Sequence, residues 1–209
     1  MNGAMKKARD NIIKQKRIYL FLFILLLIGV GIGIVFVTIL SNGDKKIVME
    51  QLGDFFKQFR TMDNLNYGRG LMNSLLANLL YVIGVWLLGI SIIGLPVILF
   101  LLFMKGFIVG FSISSIISIY GFKGVLGVIA YLFPHHLLGL LMVVVLSFYA
   151  VTFSIKLFLS LFLHKNINLR AVMHKYIKIL LLMLVIAVVV SLLEIFINPY
   201  LINLFTKII

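Results

Sequence analysis

The feature that most constrains this chain is residues 18–40, a run without a single charge, preceded by Lys6, Lys7, Arg9, Lys14, Lys16 and Arg17 against one acid, Asp10. A bilayer core of ~30 Å is crossed by ~20 helical residues, so the run is long enough to span. A secretory signal also starts basic, but its apolar core is only ~7–15 residues, and Ser41-Asn42-Gly43 is a poor small-x-small cleavage site. Residues 1–17 are therefore expected to be a cytoplasmic basic tail and 18–40 an uncleaved first span.

Similar blocks recur. Residues 75–89, 96–118, 137–163 and 179–197 read as four more spans, with Pro96 at the natural first-turn position of its helix. Overall 63% of the 209 residues are hydrophobic and 12% charged, against roughly 25% charged in a soluble domain. A soluble chain of this size has too little interior to hide that much apolar surface. A soluble enzyme, a nucleic-acid binder and a disordered chain are excluded on this ground. The fold class expected is all-α, a polytopic transmembrane bundle of about five spans forming one membrane domain over residues 18–209.

The balance of 19 Lys and Arg against 6 Asp and Glu does not imply nucleic acid, because the cations flank apolar runs, where they set orientation and meet anionic lipid heads. The loop 164–178 carries Lys165, Arg170, Lys175 and Lys178 and no acid. Basic short loops stay in the cytoplasm, so an even number of crossings should separate this loop from the N-terminus. Four spans satisfy that if 122–133, short for a crossing and ended by Pro134, re-enters from the outer face; counted as a full span, it gives six crossings and puts the basic loop outside. The N-terminus is then inside and the C-terminus outside. The polar segment 44–60 lies outside; there Val48, Leu52, Phe55, Phe56 and Phe59 follow the spacing of one helical face opposite Glu50, Asp54 and Lys57. That segment is an amphipathic helix too charged to span, and its aromatic face either packs at the interface or docks a partner.

Charges inside spans are functional candidates by default. Lys156 lies ~10 Å and Lys105 ~14 Å from the inner ends of their helices, and Glu194 ~22 Å up the fifth span, at 1.5 Å per residue. Both lysines can reach back toward the cytoplasm, so snorkelling and helix pairing are preferred to ion or proton conduction. Pro134-His135-His136 follows the re-entrant stretch. Adjacent His side chains diverge by about 100° on a helix of 3.6 residues per turn, poor geometry for one metal, and the chain has no Cys. The pair is read as polar residues at the outer end of a broken helix, and no cofactor or metal is expected. Gly29 and Gly33, and again Gly106 and Gly110, are small residues four apart that let helix backbones approach closely. Packing within the chain is preferred, and a homo-oligomer is permitted. No phosphate loop, zincin helix or Ser–His–Asp arrangement is present.

The order of these elements resembles the stage II sporulation protein M family over roughly residues 18–200. The residues that carry the resemblance are Gly29-Val-Gly-Ile-Gly33, then Phe55-Phe56 and Phe59 in the charged segment, Asn73-Ser-Leu-Leu-Ala-Asn78, and Leu88-Gly-Ile-Ser-Ile-Ile-Gly-Leu-Pro96. Phe103-Met-Lys-Gly-Phe-Ile-Val-Gly-Phe111 and Phe133-Pro134-His135 complete it. Many relatives carry an acid shortly after the Pro-His pair; this chain has Leu138-Gly139-Leu140, so a role tied to that acid does not transfer. The resemblance implies a membrane scaffold, not itself an enzyme, in the septal membrane of the engulfing mother cell. Its partners would be stage II sporulation proteins P and D, which degrade peptidoglycan. A small transporter or channel, an intramembrane enzyme using His135 or His136, and a membrane-assembly relative outside sporulation are the rival readings.

Overall fold

The computed structural model describes residues 3–61, 67–164 and 166–207, with side chains for 15–57, 67–164 and 166–207. The described chain is helical almost throughout, without strands: α1 (Gly3–Ile39), α2 (Asn42–Thr61), α3 (Tyr67–Ile90), α4 (Gly94–Tyr120), α5 (Gly124–Leu132), α6 (His135–Leu161), α7 (Leu169–Leu192) and α8 (Asn198–Thr206). In hydrocarbon the backbone must bond to itself, and a helix does so within one segment. Five helical stretches are long and apolar enough to cross a membrane.

The helices overrun the apolar runs in the sequence. α1 continues back to Gly3 through the basic tail, and α7 begins at Leu169 inside the basic loop. Hydropathy marks only the part of a helix at lipid depth; capping marks its end. Asn168 accepts a hydrogen bond from the Ala171 amide at 3.1 Å to start α7. Ser41 starts α2 as its N-cap, accepting from the Asp44 amide at 3.2 Å while its hydroxyl donates to the Asp44 carboxylate at 2.7 Å.

α1 and α4 run parallel and are the most closely packed pair of helices. Their glycines face each other's backbone: a Cβ on Gly29 would strike Phe103 O, one on Gly33 Phe107 O, one on Gly106 Leu26 O and one on Gly110 Val30 O. Both small-residue pairs are therefore spent inside the chain, at one helix–helix contact.

α6 is the most buried span. Around Leu146, Ala150 and Phe153 it gathers Val82 and Val85 of α3, Leu102 of α4, Leu22 of α1 and Ala187 of α7 into the main core. Toward the basic end, Tyr176 stacks between Trp86 and Phe153, with ring centroids 5.5 and 4.6 Å away, and donates its hydroxyl to Trp86 O at 2.9 Å.

The opposite end is capped. Gly121, at φ 55°, lets the chain reverse through a short 3-10 turn into α5. Gly124 brings α5 against α4, where a Cβ would lie 2.8 Å from Ile116 O. Nine residues give α5 about 14 Å at 1.5 Å per residue, so it does not cross. α7 passes into a π-helical turn, Leu193–Ile197, and on into α8, which carries Pro199 in its first turn. α2, α5 and α8 then close over the end of the bundle around Phe56, Ile116, Ile202 and Phe205. Phe56, Tyr120 and Phe205 form a closed triangle of edge-to-face rings at 5.3–5.6 Å.

Candidate functional site

A polar stripe on α3 begins the site. Ser74, Asn78 and Tyr81 fall at i, i+4 and i+7, one face of an otherwise apolar helix. That face meets the top of α7. Ser74 donates to Glu194 Oε2 at 2.6 Å, and Asn78 Nδ2 donates to Ser191 at 2.9 Å and to Ser74 at 3.3 Å. Glu194 sits in the π-helical turn, a distortion frequent at functional sites. A hydrogen bond to a charged group is worth about 1.5–3 kcal/mol, which offsets part of the cost of holding a carboxylate in the membrane.

α4 supplies Lys105 and α6 supplies His135 and His136. The Lys105 ammonium lies 4.7 Å from the centre of the Tyr81 ring, an attractive cation–π placement. It is near enough to Glu194 for their charges to interact, without forming an ion pair. His135 is buried, at 3% exposure, and its ring centre lies 4.2 Å from that of His136, which meets Tyr131 of α5 edge-on at 4.5 Å.

These side chains line two cavities. The deeper one, about 230 Å³, has Ser74, Asn78, Tyr81, Lys105, His135, His136 and Glu194 in its walls. The other, about 340 Å³, lies under the cap between Phe55, Tyr67, Tyr131, Asn198 and Pro199, and shares His135, His136 and Glu194 with the first. Toward the basic end, the main core fills the bundle. Among the described residues no group of three or more His, Cys, Asp or Glu side chains stands close enough to hold a metal ion.

Several expectations from sequence change here. The Lys105 ammonium lies over the Tyr81 ring of α3 and in the wall of the deeper cavity. His135 and His136 open α6, whose N-cap position, Pro134, carries no side-chain cap, and both imidazoles line the cavities. Pro134 follows a cis peptide bond from Phe133. Lys156 lines a small crevice with Gln15 and Lys175, apart from the cavities. On α2, Phe56 is 2% exposed, so its ring is not available for docking: it gains more by burial on Tyr120 and Phe205 of its own chain. Val48, Leu52 and Phe55 are half-buried over a cavity beside Ser112 and Tyr131. Phe59 lies outside the described side chains. Ser74, Asn78, Tyr81, Ser191 and Asn198 were missed as site residues, although the α3 stripe is visible in the sequence as polar positions on one helical face.

The model of the family described as stage II sporulation protein M matches residues 22–199. The chain belongs to the stage II sporulation protein M family. Every residue of the two cavities named above falls within the matched region, and Phe205 of the cap lies beyond it. Family membership and the five apolar helices make this a sporulation-related, multi-pass membrane protein. Neither a curated protein nor a solved structure matches the chain.

Proposed function

We propose that the chain is a scaffold in the septal, engulfing membrane of the mother cell. There it recruits and positions two peptidoglycan-degrading partners, stage II sporulation proteins P and D, and cleaves nothing itself. In this reading the N-terminus is cytoplasmic, and the capped end with the C-terminus faces the wall compartment. The observation that carries it is α2. This charged helix is held on the end of the bundle by Phe56, and its outer side, with Ile47 at 53% exposure beside Glu50 and Asp54, is turned away from the chain's own core. Such a mixed apolar and charged surface suits a protein partner in the wall compartment.

The test is photocrosslinking from position 47 in sporulating cells. Recovery of either hydrolase from position 47, but not from a position on the loop 164–168, is the expected result. If exposed α2 positions recover neither hydrolase, the scaffold reading fails.

One observation favours a reading from another class, a small transporter or channel: Lys105, His135, His136 and Glu194 share an intramembrane cavity. Flux into liposomes that vanishes in Lys105→Leu would support it. Against it stands the packed core between that cavity and the basic end.

A further inference from the structure

The walls of the two cavities are polar in an ordered way. At the deep end lie the Lys105 ammonium and the Tyr81 hydroxyl. At the junction the Glu194 carboxylate and the two imidazoles belong to both cavities. Nearer the cap come Asn198 and the apolar rim of Phe55, Ile195 and Pro199. Tyr81 Oη in these walls is buried with no hydrogen-bond partner, and His135 Nδ1 and Asn198 Oδ1 have none of good geometry, although these two side chains lie within reach of each other. Buried polar groups are normally satisfied, and each exception asks for an explanation. His135, at 3% exposure, lies in the wall of both cavities.

The charges are the second observation. Lys105 and Glu194 face the same cavity and are not within ion-pair distance of each other. A charge at membrane depth is costly unless paired, and here each is left a side facing the space between them. A purely anionic ligand on Lys105 would be opposed by Glu194, and a purely cationic one on Glu194 by Lys105. A ligand carrying both charges satisfies both.

We propose that this cavity binds a small zwitterion, with its anionic group on Lys105 and Tyr81 at the deep end and its ammonium group against Glu194 and Asn198 toward the cap. The volumes, about 230 and 340 Å³, suit a headgroup or a small soluble molecule. The shared chemistry is a primary ammonium a few bonds from a phosphate or carboxylate. Its source is either a lipid headgroup or a free solute.

The experiment uses the full chain in phosphatidylglycerol nanodiscs, read by native mass spectrometry, with two probes: phosphatidylethanolamine added to the disc, and soluble phosphoethanolamine. Retention of either probe at least tenfold above the phosphatidylglycerol background is expected, and which probe is retained identifies the source. Lys105→Met and Glu194→Gln should each cut retention about tenfold, equivalent to about 1.4 kcal/mol. Tyr81→Phe, which keeps the ring beneath Lys105 and removes only the hydroxyl, should cut it about threefold. Glu194→Gln should also admit inorganic phosphate, which the native chain rejects; a merely structural carboxylate would not change that selectivity. Should Lys105→Met fail to fold, the Tyr81→Phe and phosphate measurements decide. Retention of neither probe, or retention untouched by all the variants that fold, overturns the proposal.

Discussion

Glu194 is held in the membrane by one short hydrogen bond, and the consequence can be measured. Ser74→Ala removes the donor at 2.6 Å and leaves a carboxylate oxygen unpaired, so stability should fall by about 1.5–3 kcal/mol. Denaturant titration in a fixed detergent reads this, and a change under 0.5 kcal/mol would mean the bond contributes little. Gly33 makes the opposite kind of demand. A side chain there meets backbone, which cannot rotate away as a flexible side chain can. Gly33→Leu should separate α1 from α4 and cost at least about 1–3 kcal/mol, the usual range for overpacking. Gly31→Leu makes a good control, because its Cβ position has open space around it. Equal melting temperatures for the two variants would contradict the close packing described here.

Between neighbouring elements, the cap is the feature with most to test. Phe56 of α2 packs its ring on both Tyr120 of α4 and Phe205 of α8. Edge-to-face pairs add about 0.5–1.5 kcal/mol each beyond the area they bury, and truncating a buried Phe costs about 3–5 kcal/mol in total. Phe56→Ala should therefore loosen α2 and α8 together, with faster amide exchange in both, while α1 and α4 keep their protection. Faster exchange in α2 alone would show that α8 is held by other contacts. Ile47→Ala, on the exposed side of the same helix, should change stability by no more than about 0.5 kcal/mol. The amphipathic face was legible from the spacing of Val48, Leu52, Phe55 and Phe56. Its occupant was not, because α8 lies far along the chain and is attached through a π-helical turn that no hydropathy pattern marks.

Across the whole molecule the question is which end faces the cytoplasm. The native chain has no Cys, so single cysteines report cleanly. With basic loops inside, Arg170→Cys should react with a membrane-impermeant maleimide only after cells are opened, and Glu50→Cys should react in intact cells. The reverse pattern would turn the bundle over and remove the scaffold reading with it. The parallel α1–α4 contact and the antiparallel α3–α7 contact fit alternating crossings, and α8 places the C-terminal end beside α2, opposite the basic loop.

The sequence by itself determined that this chain belongs in a membrane, which five stretches are long and apolar enough to span, where the amphipathic helix lies and which glycines allow close approach. Each of these follows from local physics: the length of an apolar run, the period of a helix, the absence of a Cβ. Tertiary structure decided what those features meet. It set Gly29 and Gly33 against α4, enclosed Phe56, and gathered Lys105, His135 and Glu194 from three separate helices around one cavity. The reason lies in the rotation of each helix about its own axis. A uniformly apolar helix carries almost no sequence signal for the direction a given side chain faces, and only packing against its neighbours fixes it.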